Sequence, residues 1–115
     1  MNYLDSHYFK YVNEREGSEI LNKYYGFITY KTHQEECFIV DMFIDKEYRG
    51  SKKSKEMIND LSSIAKSKGC SFISAHIQDN DKCVTKTISA AIANGFKIFE
   101  ANHGRITIIK NLKGD

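Results

Sequence analysis

The stretch ECFIVDMFID (36–45), followed directly by KEYRGSKKSKEMI (46–58), decides the fold of this chain. The first segment is almost continuously apolar apart from Asp41, and at that length it predicts a central β-strand buried on both faces. The apolar residues of the second segment begin a helical spacing, which predicts an amphipathic helix over residues 51–68. The stretch therefore predicts a strand, a turn and a helix in succession.

The rest of the chain supplies strands and a second helix around this unit. The helix at 51–68 has Ser51 as a predicted N-cap and Gly69 just beyond its end, while Gly26 marks a bulge or close backbone approach within a strand. The predicted elements are strands at 7–14, 19–31, 36–45 and 70–77, helices at 51–68 and from near 81 to the stop signal at 94–95, and a hairpin of 96–101 and 105–111.

This order, β-β-β-α-β-α-β-β, predicts one mixed α/β (α+β) domain over residues 1–115. Two buried strands flank the first helix, so residues 36–45 and 71–77 are predicted to run parallel in a right-handed βαβ unit. Ligands of such sheets bind at the carboxyl ends of the strands, beside the N-terminus of the following helix. The turn YRGSKKS (48–54) is predicted to lie at that place.

Composition indicates a soluble protein of ordinary charge. The chain has 115 residues, 41% of them hydrophobic, and a net charge of +2, which is far below the strongly basic totals typical of nucleic-acid binders. The three cysteines are widely separated and favour reduced thiols in a cytoplasm. No histidine spacing indicates a metal site, and no apolar run is long enough to cross a membrane.

Four cations, Arg49, Lys52, Lys53 and Lys55, crowd the start of the predicted helix. A helix N-terminus carries a partial positive charge, so cations are unfavourable there unless an anion lies among them. Backbone N–H groups at that end lack intrahelical partners and can hold a phosphate. The alternative is a lysine-rich, solvated helix start.

These segments resemble the GNAT superfamily of acyl-CoA-dependent N-acyltransferases. The resemblance covers about residues 19–110 and rests on the strand VDMFID, the turn and helix EYRGSKKSKEMI, the strand FISAHI and the helix end NGFKIF. It implies that the strand end pairs with the pantetheine arm of acetyl-CoA and that backbone amides of residues 50–54 bind its pyrophosphate. The implied cofactor-binding residues are Phe43, Ile44, Arg49, Gly50, Ser51, Lys52, Lys53 and Ser54.

The chain departs from this family at two places. The family's phosphate signature, Arg/Gln-x-x-Gly-x-Gly/Ala, maps onto residues 49–54, where Lys52 and Ser54 replace the small residues. A side chain therefore occupies the closest approach to phosphate, although the ammonium of Lys52 could turn onto the anion. Many family members also carry a tyrosine that protonates the leaving thiolate, and Ala91 stands at the corresponding position.

Acetylation requires a neutral amine, and hence a base that takes its proton. Asp41 is the only acidic residue inside the apolar run of the third predicted strand, where burial would make its carboxylate a stronger base. Glu36 is a second candidate at the start of that strand, and Glu35 and His76 are alternatives. Asp41 also has a purely structural interpretation, as a strand-bulge or hydrogen-bonding carboxylate.

The leading hypothesis is an N-acetyltransferase that uses acetyl-CoA and an amine acceptor, either a small amine or a protein lysine or N-terminus. Members of that family usually place helices between their first strands, and the short segment here implies an acceptor site that is open and suited to a large acceptor, is built by a partner or oligomer, or is absent. One alternative is a non-catalytic GNAT-fold subunit, for example of a virus or phage, in the host cytoplasm or virion. Another is a module that binds nucleic-acid phosphates, which the lack of interleaved stacking aromatics disfavours.

Overall fold

The computed structural model describes residues 17–50, 52–78 and 84–113. Within these ranges lie one six-stranded sheet and two α-helices. The elements are β1 (Glu19–Lys23), β2 (Gly26–His33), β3 (Glu36–Ile44), α1 (Lys53–Ser67), β4 (Phe72–Gln78), α2 (Val84–Ala93), β5 (Lys97–Asn102) and β6 (Arg105–Asn111), with a 3-10 turn at Lys46–Tyr48.

The sheet has the strand order β1-β2-β3-β4-β6-β5. Strands β3 and β4 are parallel, and each of the other neighbouring pairs is antiparallel. The predicted mixed sheet with a parallel βαβ core is therefore confirmed. The final hairpin is also confirmed, and its turn uses positive φ at His103 and Gly104 (53° and 75°), as tight hairpin turns require.

The predicted strand at 19–31 is two strands, β1 and β2, joined by the turn Tyr24–Tyr25. The predicted close approach at Gly26 is confirmed, because a Cβ atom built there would lie 2.0 Å from the carbonyl oxygen of Phe43. Glycine thus lets β2 and β3 pair tightly at the end of β3. The strand predicted at 7–14 lies outside the described residues.

Helix α1 begins at Lys53 with Lys52 as its N-cap, so the prediction of Ser51 as the N-cap is wrong. Ser51 itself lies outside the described residues. The predicted end of the helix is confirmed, since Gly69 follows in the left-handed conformation with φ of 86°. Its neighbour Cys70 donates its N–H to the carbonyl of Ala65 at 2.9 Å, which closes the last turn.

Both helices pack on the same face of the sheet. Apolar residues of α1, including Met57 and Leu61, are fully buried there, and α2 packs Val84 and Ile88 against the same core. The amide of Asn94, just after α2, donates to the hydroxyl of Ser54 in the first turn of α1 at 3.4 Å. The start of α1 and the end of α2 therefore meet. Neither described helix combines the length and apolar character that a membrane span requires.

Candidate active site

A groove opens where the two parallel strands at the centre of the sheet separate. Strands β3 and β4 pair over three residues of each strand, from Glu36 opposite Phe72 to Phe38 opposite Ser74. Beyond that point the remaining residues of β3 pair with β2 on one side, and the remaining residues of β4 pair with β6 on the other. The space between the diverging strands forms the groove.

A β-bulge marks this divergence. Tyr30 of β2 pairs with Ile39, and the preceding Thr29 pairs with Asp41, so Val40 is the extra residue of β3. A bulge bends its strand and turns the following side chains. The prediction that β3 is buried on both faces is therefore wrong for its second half, where Val40 is 41% and Phe43 is 44% exposed.

The groove has a volume of about 650 Å³ and three walls. One wall is the second half of β3, the opposite wall is β4 from Ala75 to Ile77, and α2 contributes a third. Arg49, Gly50 and Ser54 close the end next to α1. A largely apolar groove that ends at a helix N-terminus suits a ligand with an apolar arm and an anionic end.

The backbone at the end of the groove next to α1 has the shape of a turn that can bind a phosphate. Gly50 has φ of 80°, and Lys52 is left-handed with φ of 67° and ψ of 14°. The N–H groups of residues 53–55 precede the first hydrogen bond of α1, which Glu56 donates to the carbonyl of Lys52 at 3.2 Å. Left-handed and helical residues in succession aim neighbouring N–H groups at one point, which makes an anion-binding concavity.

Lys52 keeps a glycine-like conformation without being glycine. The left-handed region costs a non-glycine residue about 1–2 kcal/mol, and such residues cluster at functional sites. In the signature of the family that the sequence resembles, this is the position of a glycine, the residue that adopts a left-handed conformation most readily. The side chain of Lys52 has no capping hydrogen bond to the helix.

The other two cations of the turn contact groups of the protein. Arg49 donates its Nε–H to the carbonyl of Ile44 at 3.0 Å, and its guanidinium lies 5.8 Å from the ring centre of Phe43. It thereby covers the end of β3 that was predicted to pair with pantetheine. The predicted cofactor residues Phe43 and Ile44 do line the groove with Arg49.

Lys53 points its ammonium towards the β1–β2 turn. Its Nζ lies 5.5 Å and 5.2 Å from the ring centres of Tyr24 and Tyr25, and 3.5 Å from a carboxylate oxygen of Glu56. The hydrogen bond with Tyr24 and the charge of Glu56 raise the pKa of Lys53. The side chain of Lys53 therefore contacts Tyr24, Tyr25 and Glu56, and only its backbone N–H is left for the predicted phosphate contact.

The aromatic cluster beside the turn consists of Tyr24, Tyr25 and Tyr48. Tyr25 is fully buried and donates its hydroxyl to Glu56 at 3.0 Å, and burial followed by that carboxylate raises its pKa well above the usual value. Tyr25 therefore keeps its proton. Tyr48 packs edge-on against Tyr24 with ring centres 5.5 Å apart, and it also lines the groove, a role that sequence reasoning missed.

Of the two predicted catalytic carboxylates, Asp41 lines the groove. It is exposed, so the prediction of its burial is wrong, and its Oδ1 accepts the N–H of Met42 at 2.9 Å. In β3, Met42 pairs with the core residue Ile28, so Asp41 lies on the face of the sheet opposite the helices. His76 of β4 is also exposed and borders the same groove.

Glu36 and Glu35 lie at the other end of β3. The carboxylate of Glu36 accepts a hydrogen bond from the hydroxyl of Ser74 where the strands are still paired. Hydrogen bonds from Ser71 and then Lys113 lower the pKa of Glu35, which suits an ion pair better than a base. Neither glutamate borders the groove.

Helix α2 presents small and polar side chains to the groove. Ala91, which the resemblance aligns with the family's tyrosine, lines the groove and carries no hydroxyl. Lys86 and Thr87, one turn earlier, line it as well. Sequence reasoning missed both, although Thr87, four residues before Ala91, lies on the same helix face as Ala91.

Comparisons with known proteins show the family and the fold of this chain. The model of the Acetyltransferase (GNAT) family matches residues 2–85. A GNAT-family acetyltransferase from Staphylococcus aureus Mu50 has a TM-score of 0.72 at 17% identity, covering 98% of this chain and 81% of that one. The ribosomal-protein-S18-alanine N-acetyltransferase of Escherichia coli has a TM-score of 0.69 at 12% identity, covering 92% and 76%.

The structure of the PaiA N-acetyltransferase from Thermoplasma acidophilum, in complex with coenzyme A, has a TM-score of 0.66 at 21% identity. It covers 75% of this chain, which spans about half (52%) of that enzyme. A search of curated protein sequences found no match. With the family match over more than half of its residues and the shared sheet, the chain belongs to the GNAT family of acetyltransferases.

Proposed function

We propose that this protein binds acetyl-CoA along the groove and transfers its acetyl group to an amine. The observation that carries the proposal is the left-handed Lys52 at the start of α1, where a largely apolar groove ends. A strained residue beside N–H groups that precede the first helical hydrogen bond is favourable when an anion compensates for it. The pyrophosphate would lie at residues 50–54 and the pantetheine arm along Phe43 and Ile44.

The residues present fit such a cofactor. Exposed apolar side chains, Val40 and Phe43, border a groove that leads from the turn to the point where β3 and β4 separate. Burial of these side chains by a pantetheine arm would be favourable by about 25 cal/mol per Å² of apolar surface. The guanidinium of Arg49 would have to release Ile44 if the pantetheine arm pairs with that carbonyl.

Bound acetyl-CoA would supply a thioester, whose acetyl group would pass to the amine nitrogen as the C–S bond breaks, and the proton that the amine loses would go to the departing thiolate. The chain's part is to bring the amine to the thioester and to remove its ammonium proton beforehand. Asp41 is our proposed base, because its exposed carboxylate borders the groove on the face opposite the helices. An acceptor amine would enter from that face.

Replacing Asp41 by asparagine should slow acetyl transfer by about tenfold at neutral pH. The effect is smaller than the hundredfold or more typical of a base, because this carboxylate is exposed and water can partly replace it. The difference should shrink as the pH rises and the amine loses its own proton. Thiol release in the presence of peptides with free α- and ε-amines measures the rate.

Glu100→Gln is the matched control, since Glu100 is an exposed carboxylate of β5 outside the groove. It should leave the rate unchanged at every pH. Equal pH profiles of Asp41→Asn and the unsubstituted protein would remove Asp41 from the mechanism. His76, which borders the same groove, would then be the next residue to substitute.

The second candidate function is a GNAT-fold protein that binds the cofactor without catalysis. Ala91 favours it, because no hydroxyl stands at the position from which many family members protonate the thiolate. Binding of acetyl-CoA with no acetyl transfer to any amine in the peptide mixture would support this candidate. The phosphate turn would then serve recognition alone.

A further inference from the structure

The inner end of the groove reaches the hydrophobic core. Ile39, Ile77 and Ile108 of the sheet and Phe96 after α2 are each less than a tenth exposed, yet all four border the groove. These residues also pack in the core cluster beneath both helices. The inner part of the groove is therefore apolar, and we call it the apolar chamber, defined by these four residues together with Ala75 and Ala91.

Two alanines keep this chamber open. Ala75 is the first residue of β4 beyond the paired segment that points towards the helices, since it pairs with the buried Ile108. Ala91 borders the chamber from α2, and its carbonyl accepts the N–H of Phe96 at 2.9 Å. That bond fixes the end of α2 against the chamber. A larger side chain at either alanine would occupy the space.

The six residues that define the chamber are all apolar. Water placed there would find few hydrogen-bond partners, whereas a hydrocarbon chain would lose no polar contact on entry. The chamber lies where β3 and β4 separate. That point is the inner end of the proposed pantetheine path, where the acyl group of a bound thioester would follow the sulfur.

We propose that this apolar chamber binds the acyl chain of the donor, and that the preferred donor carries a short linear acyl chain longer than acetyl. The inference rests on the proposed function, because the chain reaches the chamber only if the coenzyme A part binds along the groove. Each further methylene group buried from water is worth about three- to fourfold in affinity. Butyryl-CoA, with two more methylenes than acetyl-CoA, should bind about tenfold more tightly.

Titration calorimetry with coenzyme A, acetyl-CoA, propionyl-CoA and butyryl-CoA tests the inference on the unsubstituted protein. We expect a stepwise rise in affinity from acetyl to butyryl. Affinity that is flat or falls along the series, with coenzyme A itself bound, would overturn the chamber and leave the proposed function standing. Failure of all four ligands to bind would overturn the proposed function as well.

Ala91→Leu should fill the chamber and abolish the advantage of butyryl-CoA over acetyl-CoA. Ala93→Leu, which adds the same bulk at an exposed position of α2 outside the groove, should keep the tenfold ratio. If Ala91→Leu lowers the melting temperature so far that it cannot be titrated, Ala91→Val adds less volume and should still reduce the ratio. A tenfold ratio retained in a folded Ala91 variant would place the acyl chain elsewhere.

Discussion

Replacing Gly26 by alanine should destabilise the protein by about 3 kcal/mol or more. The added Cβ would lie 2.0 Å from the carbonyl oxygen of Phe43 and 2.9 Å from the Cα of Ile44, and both atoms belong to the backbone of β3. Forcing extra atoms into a packed site costs typically 1–3 kcal/mol, and a backbone contact offers no side-chain movement as relief. We expect the melting temperature to fall by roughly 10 °C or more.

Gly69→Ala is the control for this substitution. Gly69 is left-handed with φ of 86°, but a Cβ atom there would meet nothing within 4 Å. Alanine should therefore cost only the conformational strain of about 1–2 kcal/mol. If Gly26→Ala melts at the temperature of the unsubstituted protein, β2 and β3 are not paired as described at the wall of the groove.

Replacing Ser54 by aspartate should separate the stability of the protein from its affinity for coenzyme A. Ser54 lies in the first turn of α1 and borders the groove. A carboxylate there faces the helix N-terminus and should stabilise the free protein by roughly 0.3–1 kcal/mol. The same carboxylate would repel a pyrophosphate: two unit charges 4 Å apart interact by about 4 kcal/mol near a protein surface. With screening, affinity should fall by about a hundredfold.

Ser63→Asp is the matched control, because it adds the same charge at an exposed position in the middle of α1, outside the groove. Thermal melting measures stability, and calorimetric titration with coenzyme A measures affinity. Loss of affinity in Ser54→Asp without loss of stability supports the phosphate turn. Equal affinities in Ser54→Asp and Ser63→Asp would mean that no phosphate lies at the start of α1.

The fold was predictable from the sequence wherever a backbone conformation requires a particular residue type, such as glycine. Gly69 and Gly95 end the two helices as predicted, because both adopt left-handed conformations with φ of 86° and 95°. The turn Tyr24–Tyr25 was missed, since the favoured two-residue hairpin turns use Gly, Asn or Asp. A run of strand-forming residues across that turn therefore indicated one strand where the chain forms two.

The site was less predictable, because it depends on contacts between distant residues. The exposed second half of β3 follows from a bulge opposite β2 and the divergence from β4, and neither leaves a pattern in the apolar run around Asp41. The orientation of Lys53 is set by Tyr24 and Tyr25, which lie far away in sequence. The position of the turn before α1 was predictable, because its cations and glycine are local in the sequence.

The central claim is that coenzyme A binds with its pyrophosphate at the start of α1 and its pantetheine arm along β3. The measurement that tests it most directly is a titration of the isotope-labelled protein with coenzyme A, followed residue by residue in ¹H–¹⁵N correlation spectra. We predict saturable shifts of the amide signals of Gly50, Lys53 and Ser54, together with those of Phe43 and Ile44. Unchanged signals at these residues, or shifts confined to the hairpin of β5 and β6, would contradict the claim.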